Sequence, residues 1–278
     1  MSTTVLVEKA LQKNDWPLRQ VKQLTLAMSP LLLEIDGLTH AFTTRLGAQS
    51  PAPLNWFNLG RHWETEESRQ DAMANRTVLC DALGLDATQL VVPGQQHTTN
   101  IYIADERTET GQQLKNFDGV VTKRRGQPLL LHFADCVPVM ILDQEQRVLC
   151  VMHAGWRGTA GGIVTKGVQL LINQFGTRVS DIVAAVGPAI GSCCYETGTD
   201  VADSLSLTVA NAKSLIDWRD NKPHPDLKAF NAMQLLELGV VNVDVSKWCT
   251  ACHPDIFYSH RQSGGKTGRQ GALACMTD

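Results

Sequence analysis

Three apolar segments follow one another in the middle of the chain: Leu129 to Phe133, Val137 to Leu142 and Val148 to His153. Runs of this length, rich in Val, Ile and Leu, read as strands, and the links between them leave little helix. Further strand signals stand at Leu90 to Pro93, Asn100 to Ala104, Gly119 to Val121, Ile182 to Val186 and Val240 to Val245. Leu31 to Phe42 reads as two short strands split by an Asp36-Gly37 turn. Helical spacing marks Val5 to Lys13, Glu64 to Leu83 before Gly84, and Ile163 to Phe175; Asp200 to Leu238 is helical but interrupted by Arg219 to Pro225. Thr43 to Leu59, rich in Gly, Pro, Ser and Asn, reads as loop. Clustered strands predict an α/β (α+β) fold, a single layered domain with a mixed β-sheet flanked by helices, and argue against a simple Rossmann unit. There is no Gly-x-Gly-x-x-Gly fingerprint. The domain is expected over residues 31–278, with residues 1–30 as an N-terminal extension.

With 278 residues, 43% of them hydrophobic, the chain can bury a sizeable core. A net charge of -3, from 25 basic and 28 acidic residues spread along the chain, gives no footprint for nucleic acid. The apolar runs fall far short of the roughly 20 residues that cross a bilayer. Met1 to Pro30 lacks the apolar core of a secretion signal, so a cytoplasmic protein is expected. In that compartment the eight cysteines are expected as free thiols, with a metal or catalytic role favoured over a disulfide framework.

Cys136 and His153 each follow an apolar strand-like run, a position where active sites tend to be built. A cysteine at such a turn is often only a small buried apolar group, but a histidine at a strand end before the turn Gly155 to Gly162 is rarely needed for packing. With His97 they make two imidazoles and one thiolate with no obvious fourth ligand, the count expected of a catalytic zinc. Taken alone, His97 in its polar loop reads as a surface histidine. Gly155, Gly158, Gly161 and Gly162 lie between a strand and a helix, where amides can face phosphate or where glycine permits close packing. Arg45 and Arg157 are candidate partners of such an anion, and Arg261 is the better substrate contact of the two late arginines. Glu196 is a candidate proton carrier, as is Asp135. Cys249 and Cys252, with His253 behind them, form a lone Cys-x-x-Cys with a weak metal or redox signal. The adjacent Cys193 and Cys194 are expected to be packing groups or spectators, because neighbouring cysteines do not easily ligate one metal.

From about Leu31 onward the chain resembles the YfiH-like family, known as multicopper polyphenol oxidase or laccase domain proteins and also described as purine nucleoside phosphorylases and peptidoglycan editing factors. The resemblance rests on Thr-Arg-Leu-Gly (44 to 47), Phe-Asn-Leu-Gly (57 to 60), Gln95 with His97, Ala-Asp-Cys-Val-Pro (134 to 138), His-Ala-Gly-Trp-Arg-Gly (153 to 158), Gly-Pro-Ala-Ile-Gly (187 to 191), Cys-Tyr-Glu (194 to 196), Tyr-Ser-His-Arg (258 to 261) and Thr-Gly-Arg (267 to 269). It implies a zinc site at His97, Cys136 and His153, with Gln95 among the substrate or phosphate contacts. It further implies phosphorolysis of adenosine, inosine, guanosine and methylthioadenosine to base and ribose 1-phosphate, and hydrolytic deamination of adenosine. The expected partners are a small-molecule nucleoside and phosphate, with no nucleic acid and no membrane. Copper is disfavoured, because a multicopper site needs sets of close histidines and the eight here are scattered. Two departures bear on substrate choice: Ala48 replaces the family's second glycine, and Ser-His-Arg-Gln (259 to 262) replaces Ser-Tyr-Arg-Arg. The alternatives are a cysteine hydrolase, with Cys136 as nucleophile and His153 as base, acting on misincorporated peptidoglycan precursors, and a non-catalytic scaffold whose zinc serves stability only.

Overall fold

The computed structural model describes residues 16–47, 56–60, 66–106, 108 and 114–277. The expected helix over Val5 to Lys13 and the departure at Ala48 lie outside the described residues. The chain begins with strands β1 (Leu18–Val21) and β2 (Leu24–Ala27), a single turn α1 (Pro30–Leu33) and β3 (Leu38–Thr43), followed by helix α2 (Glu66–Leu83). Next come the short strand β4 (Pro93–Gly94), β5 (Ile101–Ala104), the short β6 (Leu114–Lys115) and β7 (Gly119–Thr122). The central strands are β8 (Leu129–Phe133), β9 (Val137–Asp143) and β10 (Val148–Ala154), and α3 (Trp156–Ala160) and α4 (Ile163–Phe175) follow. The last third holds β11 (Ile182–Val186), α5 (Thr199–Ser206), the hairpin β12 (Ile216–Arg219) and β13 (Lys222–Pro225), α6 (Leu227–Glu237), β14 (Asn242–Val245) and β15 (Gln270–Met276).

Two large sheets form the core among the described residues, beside the two-stranded pairs β12-β13 and β4-β6. One has the order β1-β2-β3-β15-β8, and the other β14-β11-β9-β10-β7-β5. The described pairs of the first are antiparallel, whereas the second is mixed, with parallel pairs β11–β14 and β5–β7 around an antiparallel centre. Alternation sorts the side chains into layers. Leu129, Leu131, Ala272 and Ala274 of the first sheet meet Met140, Leu142, Leu149 and Val151 of the second in one core. The opposite face of the first sheet, Leu130 and Leu273, packs on Leu79 and Cys80 of α2. The opposite face of the second, including Ile141 and Cys150, packs on Val168 and Leu171 of α4 and on Phe230 of α6. The result is helix, sheet, sheet, helix. Truncating one of these fully buried leucines, such as Leu131 to alanine, costs about 2–5 kcal/mol by the behaviour of core sites.

Leu31 to Phe42 departs from expectation, since its first half is a helical turn and not a strand. Ser29 Oγ accepts the Leu32 amide and Pro30 occupies the first helical position, a combination that starts helices. No break in the fold falls at residue 30. Strands β1 and β2 extend the first sheet, and Trp16 is buried against Phe42 with ring centroids 5.0 Å apart. Among the described residues no helix is long and apolar enough to cross a membrane.

The step from one sheet to the other builds the site. β8 ends the first sheet at Phe133, and residues 134–136 carry the chain to β9 in the second. Cys136 therefore stands at the crossing. His153 lies opposite Pro138 in the β9–β10 register, next to that crossing.

Candidate metal centre and its cleft

Cys136, His153 and His97 converge. Their ligand-capable atoms all lie within 4.8 Å of one another, with Cys136 Sγ 3.9 Å from His97 Nε2. The two imidazoles meet edge to face at a centroid distance of 5.0 Å. Gly155 shows how tight the approach is: a Cβ there would lie 3.0 Å from Cys136 Sγ and 3.1 Å from His97 Cδ2. Gly155 is thus explained by close packing on the cluster, Gly161 by Thr99 Cγ2 lying 2.7 Å from where its Cβ would sit, and Gly162 by its left-handed φ of 70°.

One buried carboxylate organises the group. Asp118 Oδ1 stands 2.8 Å from His153 Nδ1 and accepts the His97 amide at 3.0 Å, while Oδ2 accepts the amides of Gln96 and Thr98. A carboxylate that only accepts requires a proton on Nδ1, so Nε2 is the nitrogen His153 turns toward Cys136, the one a metal would take in place of its proton. His97 sits at φ 60°, a left-handed conformation that these hydrogen bonds to Asp118 sustain. Asp118 was not singled out in the sequence; its only local signal is an acidic residue directly before Gly119 at the head of β7.

The electrostatics follow from this packing. Burial raises the Asp118 carboxyl, but the His153 ring and the amides of Thr98 and Gln96 more than offset it and hold it at about 2. Burial likewise pushes the Cys136 thiol up, and His153 and His97 outweigh this to bring it down to about 6. Burial alone lowers His153, but the Cys136 sulfur and Asp118 raise it to about 9. The sulfur is thus readily ionised, the state in which cysteine binds metals or attacks carbonyls. Two imidazole nitrogens and a thiolate, with a carboxylate behind one ring, form a donor set that can hold a metal ion and leave a coordination position open.

The group opens into a cleft of about 830 Å³. Its walls include Gln95, Asp135, Tyr195 and Arg261, as expected for site residues or their neighbours, and also Arg69, Arg76, Arg269, Lys115, His132 and His260. Arg76 Nε and Nη2 donate to the Leu59 carbonyl, and Nη2 lies 3.1 Å from His132 Nε2. Arg69 and Arg76 are two further cationic groups that the helical pattern of α2 concealed, because on a helix an arginine usually marks the solvent face. Gln95 is bound at both ends of its amide to the main chain of His132, at 2.8 Å each, which ties β8 to the loop of His97. Asp135, at φ 86°, accepts the Thr250 hydroxyl at 2.6 Å and the Arg261 amide at 2.7 Å. Arg261 extends over the Tyr195 ring, 5.3 Å from its centroid, and donates to the Cys194 carbonyl.

Three expected residues stand outside the cleft lining. Arg45 donates to the Pro254 carbonyl and lies over the Tyr258 and Trp56 rings. Arg157 is exposed, over the Trp156 ring. Glu196 is exposed and paired with Lys222 at 2.7 Å, which holds its carboxyl below the usual range.

Residues 39–277 match the family described as multi-copper polyphenol oxidoreductase laccase. The chain is 37% identical over 245 residues, 84% of its length, to the purine nucleoside phosphorylase YlmD of Geobacillus stearothermophilus, covering 88% of that protein. It is 34% identical over 204 residues to adenosine deaminase RL5 from an unknown prokaryotic organism, covering 70% of this chain and 78% of that one. The crystal structure of YlmD from Geobacillus stearothermophilus superposes with a TM-score of 0.87 at 32% identity, over 95% of this chain and all of that one.

Proposed function

We propose that this chain, which belongs to the family described as multi-copper polyphenol oxidoreductase laccase, is a zinc-dependent purine nucleoside enzyme. Its reactions would be phosphorolysis of adenosine, inosine, guanosine and methylthioadenosine to base and ribose 1-phosphate, and hydrolytic deamination of adenosine. The observation that carries the reading is a three-ligand His97, Cys136 and His153 group opening into a cleft lined by arginines. The names of its relatives, a purine nucleoside phosphorylase and an adenosine deaminase, support the same chemistry.

His97, Cys136 and His153 would hold the metal. Two imidazoles with one thiolate suit zinc, whereas the metal-capable groups among the described residues include no histidine-rich set of the kind a multicopper centre needs. When bound, zinc supplies Lewis acidity beside the substrate. Asp118 keeps Nε2 of His153 turned inward. Arg261 is held in place through its amide by Asp135, and its guanidinium at the cleft wall is assigned to phosphate, with Arg269 and Arg76 contributing positive potential. Arg45 and Arg157 lie outside the lining, so anion binding passes from them to Arg261. Of the two expected proton carriers only Asp135 lines the cleft, and its carboxylate, already an acceptor of two hydrogen bonds, is assigned the role of base. Gln95 acts as a positioning residue through His132.

The test is product analysis of adenosine and inosine incubations with and without phosphate. Base release that requires phosphate, or inosine formed from adenosine without it, is the expected result; absence of both products sinks the reading. The low-lying Cys136 thiol beside His153 favours one rival, a cysteine hydrolase acting on peptidoglycan precursors. That rival requires a covalent acyl adduct on Cys136 and indifference to chelators.

A further inference from the structure

A second cluster of sulfur lies in the loops that border the cleft. Cys193 and Cys194 follow β11, Cys249 and Cys252 follow β14, and the four Sγ atoms lie within 4.8 Å of one another. Cys252 Sγ is 3.5 Å from Cys193 Sγ and 3.4 Å from Cys194 Sγ. All four thiols are free. We propose that Cys193, Cys194, Cys249 and Cys252 form a second metal site, a tetrathiolate centre for one thiophilic divalent cation of the zinc type.

The geometry suits an ion at the middle of the four. Metal–sulfur bonds of about 2.3 Å in a tetrahedron put the sulfurs roughly 3.8 Å apart, close to the separations seen. A disulfide joins only two sulfurs, at about 2 Å, and leaves the convergence of the other two unexplained. Adjacent cysteines do not easily ligate one metal, which makes spectators of them in the sequence; in extended backbone their side chains diverge. Here residues 192–194 are in a turn, and the amides of Cys194 and Tyr195 both donate to the Gly191 carbonyl, which lets both sulfurs face Cys252. The partner loop is fixed independently. Ala189 bridges Cys249, Thr250 donates its amide to Ala189, and the Gly191 amide donates to Cys249 Sγ at 3.2 Å, as amides do toward thiolate ligands. Four thiolates around a divalent ion leave two negative charges. Two guanidiniums are at hand, Arg219 donating to the Cys193 carbonyl and Arg261 to that of Cys194.

With four ligands the site has no open position and serves structure. It ties the loop carrying Ile190 and Tyr195, both in the cleft wall, to the loop carrying Cys249. Cys193 and Cys252 are exposed, so the ion can enter after folding.

The experiment uses the full chain, purified untagged under reducing conditions, stripped of metal and reloaded with cobalt(II). Thiolate-to-cobalt absorption is followed in the wild type and in Cys136→Ala, Cys249→Ser and Cys193→Ser. The proposal expects an intense tetrathiolate spectrum that survives Cys136→Ala and is lost in Cys249→Ser. In purified, unstripped protein, zinc should fall by about one ion per chain in Cys249→Ser. Cys193→Ser, at an exposed position, gives the same answer if the buried Cys249 variant fails to fold. A spectrum that disappears entirely with Cys136→Ala, or peptide mapping that finds these cysteines disulfide-bonded in freshly isolated protein, overturns it. Because the spectrum reads the sulfur cluster without substrate, failure here is separate from failure of the nucleoside reading.

Discussion

The His97, Cys136 and His153 group and the four-cysteine cluster border the same stretch, Ile190 to Tyr195, yet they are built in opposite ways. The first takes its side chains from strand ends and a strained loop, and a buried carboxylate orients one ring and anchors the main chain of another. The second takes four sulfurs from two loops held by backbone hydrogen bonds and by the guanidiniums of Arg219 and Arg261, with no carboxylate behind any ligand among the described residues. Three mixed donors with an orienting carboxylate leave room for chemistry; four identical donors close the shell and leave only a crosslink. Ligand number and the group behind the ligand, more than the presence of cysteine, separate a reactive site from a structural one.

The comparison breaks most sharply at the two cysteines. Cys136→Ala should lower kcat/KM on adenosine by about a thousandfold or more, the scale of losing a catalytic metal. Cys249→Ser should keep turnover within about tenfold while lowering the thermal midpoint. Steady-state kinetics and melting curves on both variants check the crossover, and equal losses in both assays would erase the distinction.

A third buried group, away from both clusters, separates acid unfolding from acid loss of metal. Burial, with a contribution from Arg19, lowers His40 to about 4, and its Nε2 accepts the Ser29 amide at 3.0 Å. The folded value lies below the unfolded 6.5, so the stability His40 contributes is present above pH 6.5 and is lost as pH falls toward 4. The loss amounts to about 3 kcal/mol. His40→Gln should flatten the denaturation midpoint across that window; an unchanged slope would place the acid sensitivity elsewhere.

Asp118→Asn sharpens the carboxylate half of the comparison. It should weaken metal affinity of the three-ligand site by about 10–100-fold, as loss of such supporting carboxylates does. Competition with a chromophoric chelator reads this, and no change would mean that the strand ends suffice to orient the rings. Smallest is Arg261→Ala, expected to raise the KM for phosphate about tenfold, the scale of one charge-assisted hydrogen bond, with kcat for deamination little altered.

Much of this was legible along the chain. The strands β8, β9 and β10 and the helix α4 follow from apolar runs and spacing, and Cys136 and His153 follow from their places at the ends of those runs. Asp118 was not legible, since nothing local distinguishes an acid before a glycine from any turn residue. The split into two sheets also escaped, because β15 pairs with both β3 and β8 across most of the sequence. The four cysteines were visible only as a pair of neighbours and a lone Cys-x-x-Cys. More than fifty residues separate them, and the parallel pairing of β11 with β14, continued by the bridge from Ala189 to Cys249, brings their loops together.

The most direct test of the central claim is a metal titration of activity. Protein stripped of metal is assayed for adenosine conversion, with and without phosphate, as zinc is returned in measured amounts. The account predicts that stripping abolishes turnover and that zinc restores it in wild type and in Cys249→Ser, but not in Cys136→Ala. Full turnover by protein from which the metal has been removed would contradict it.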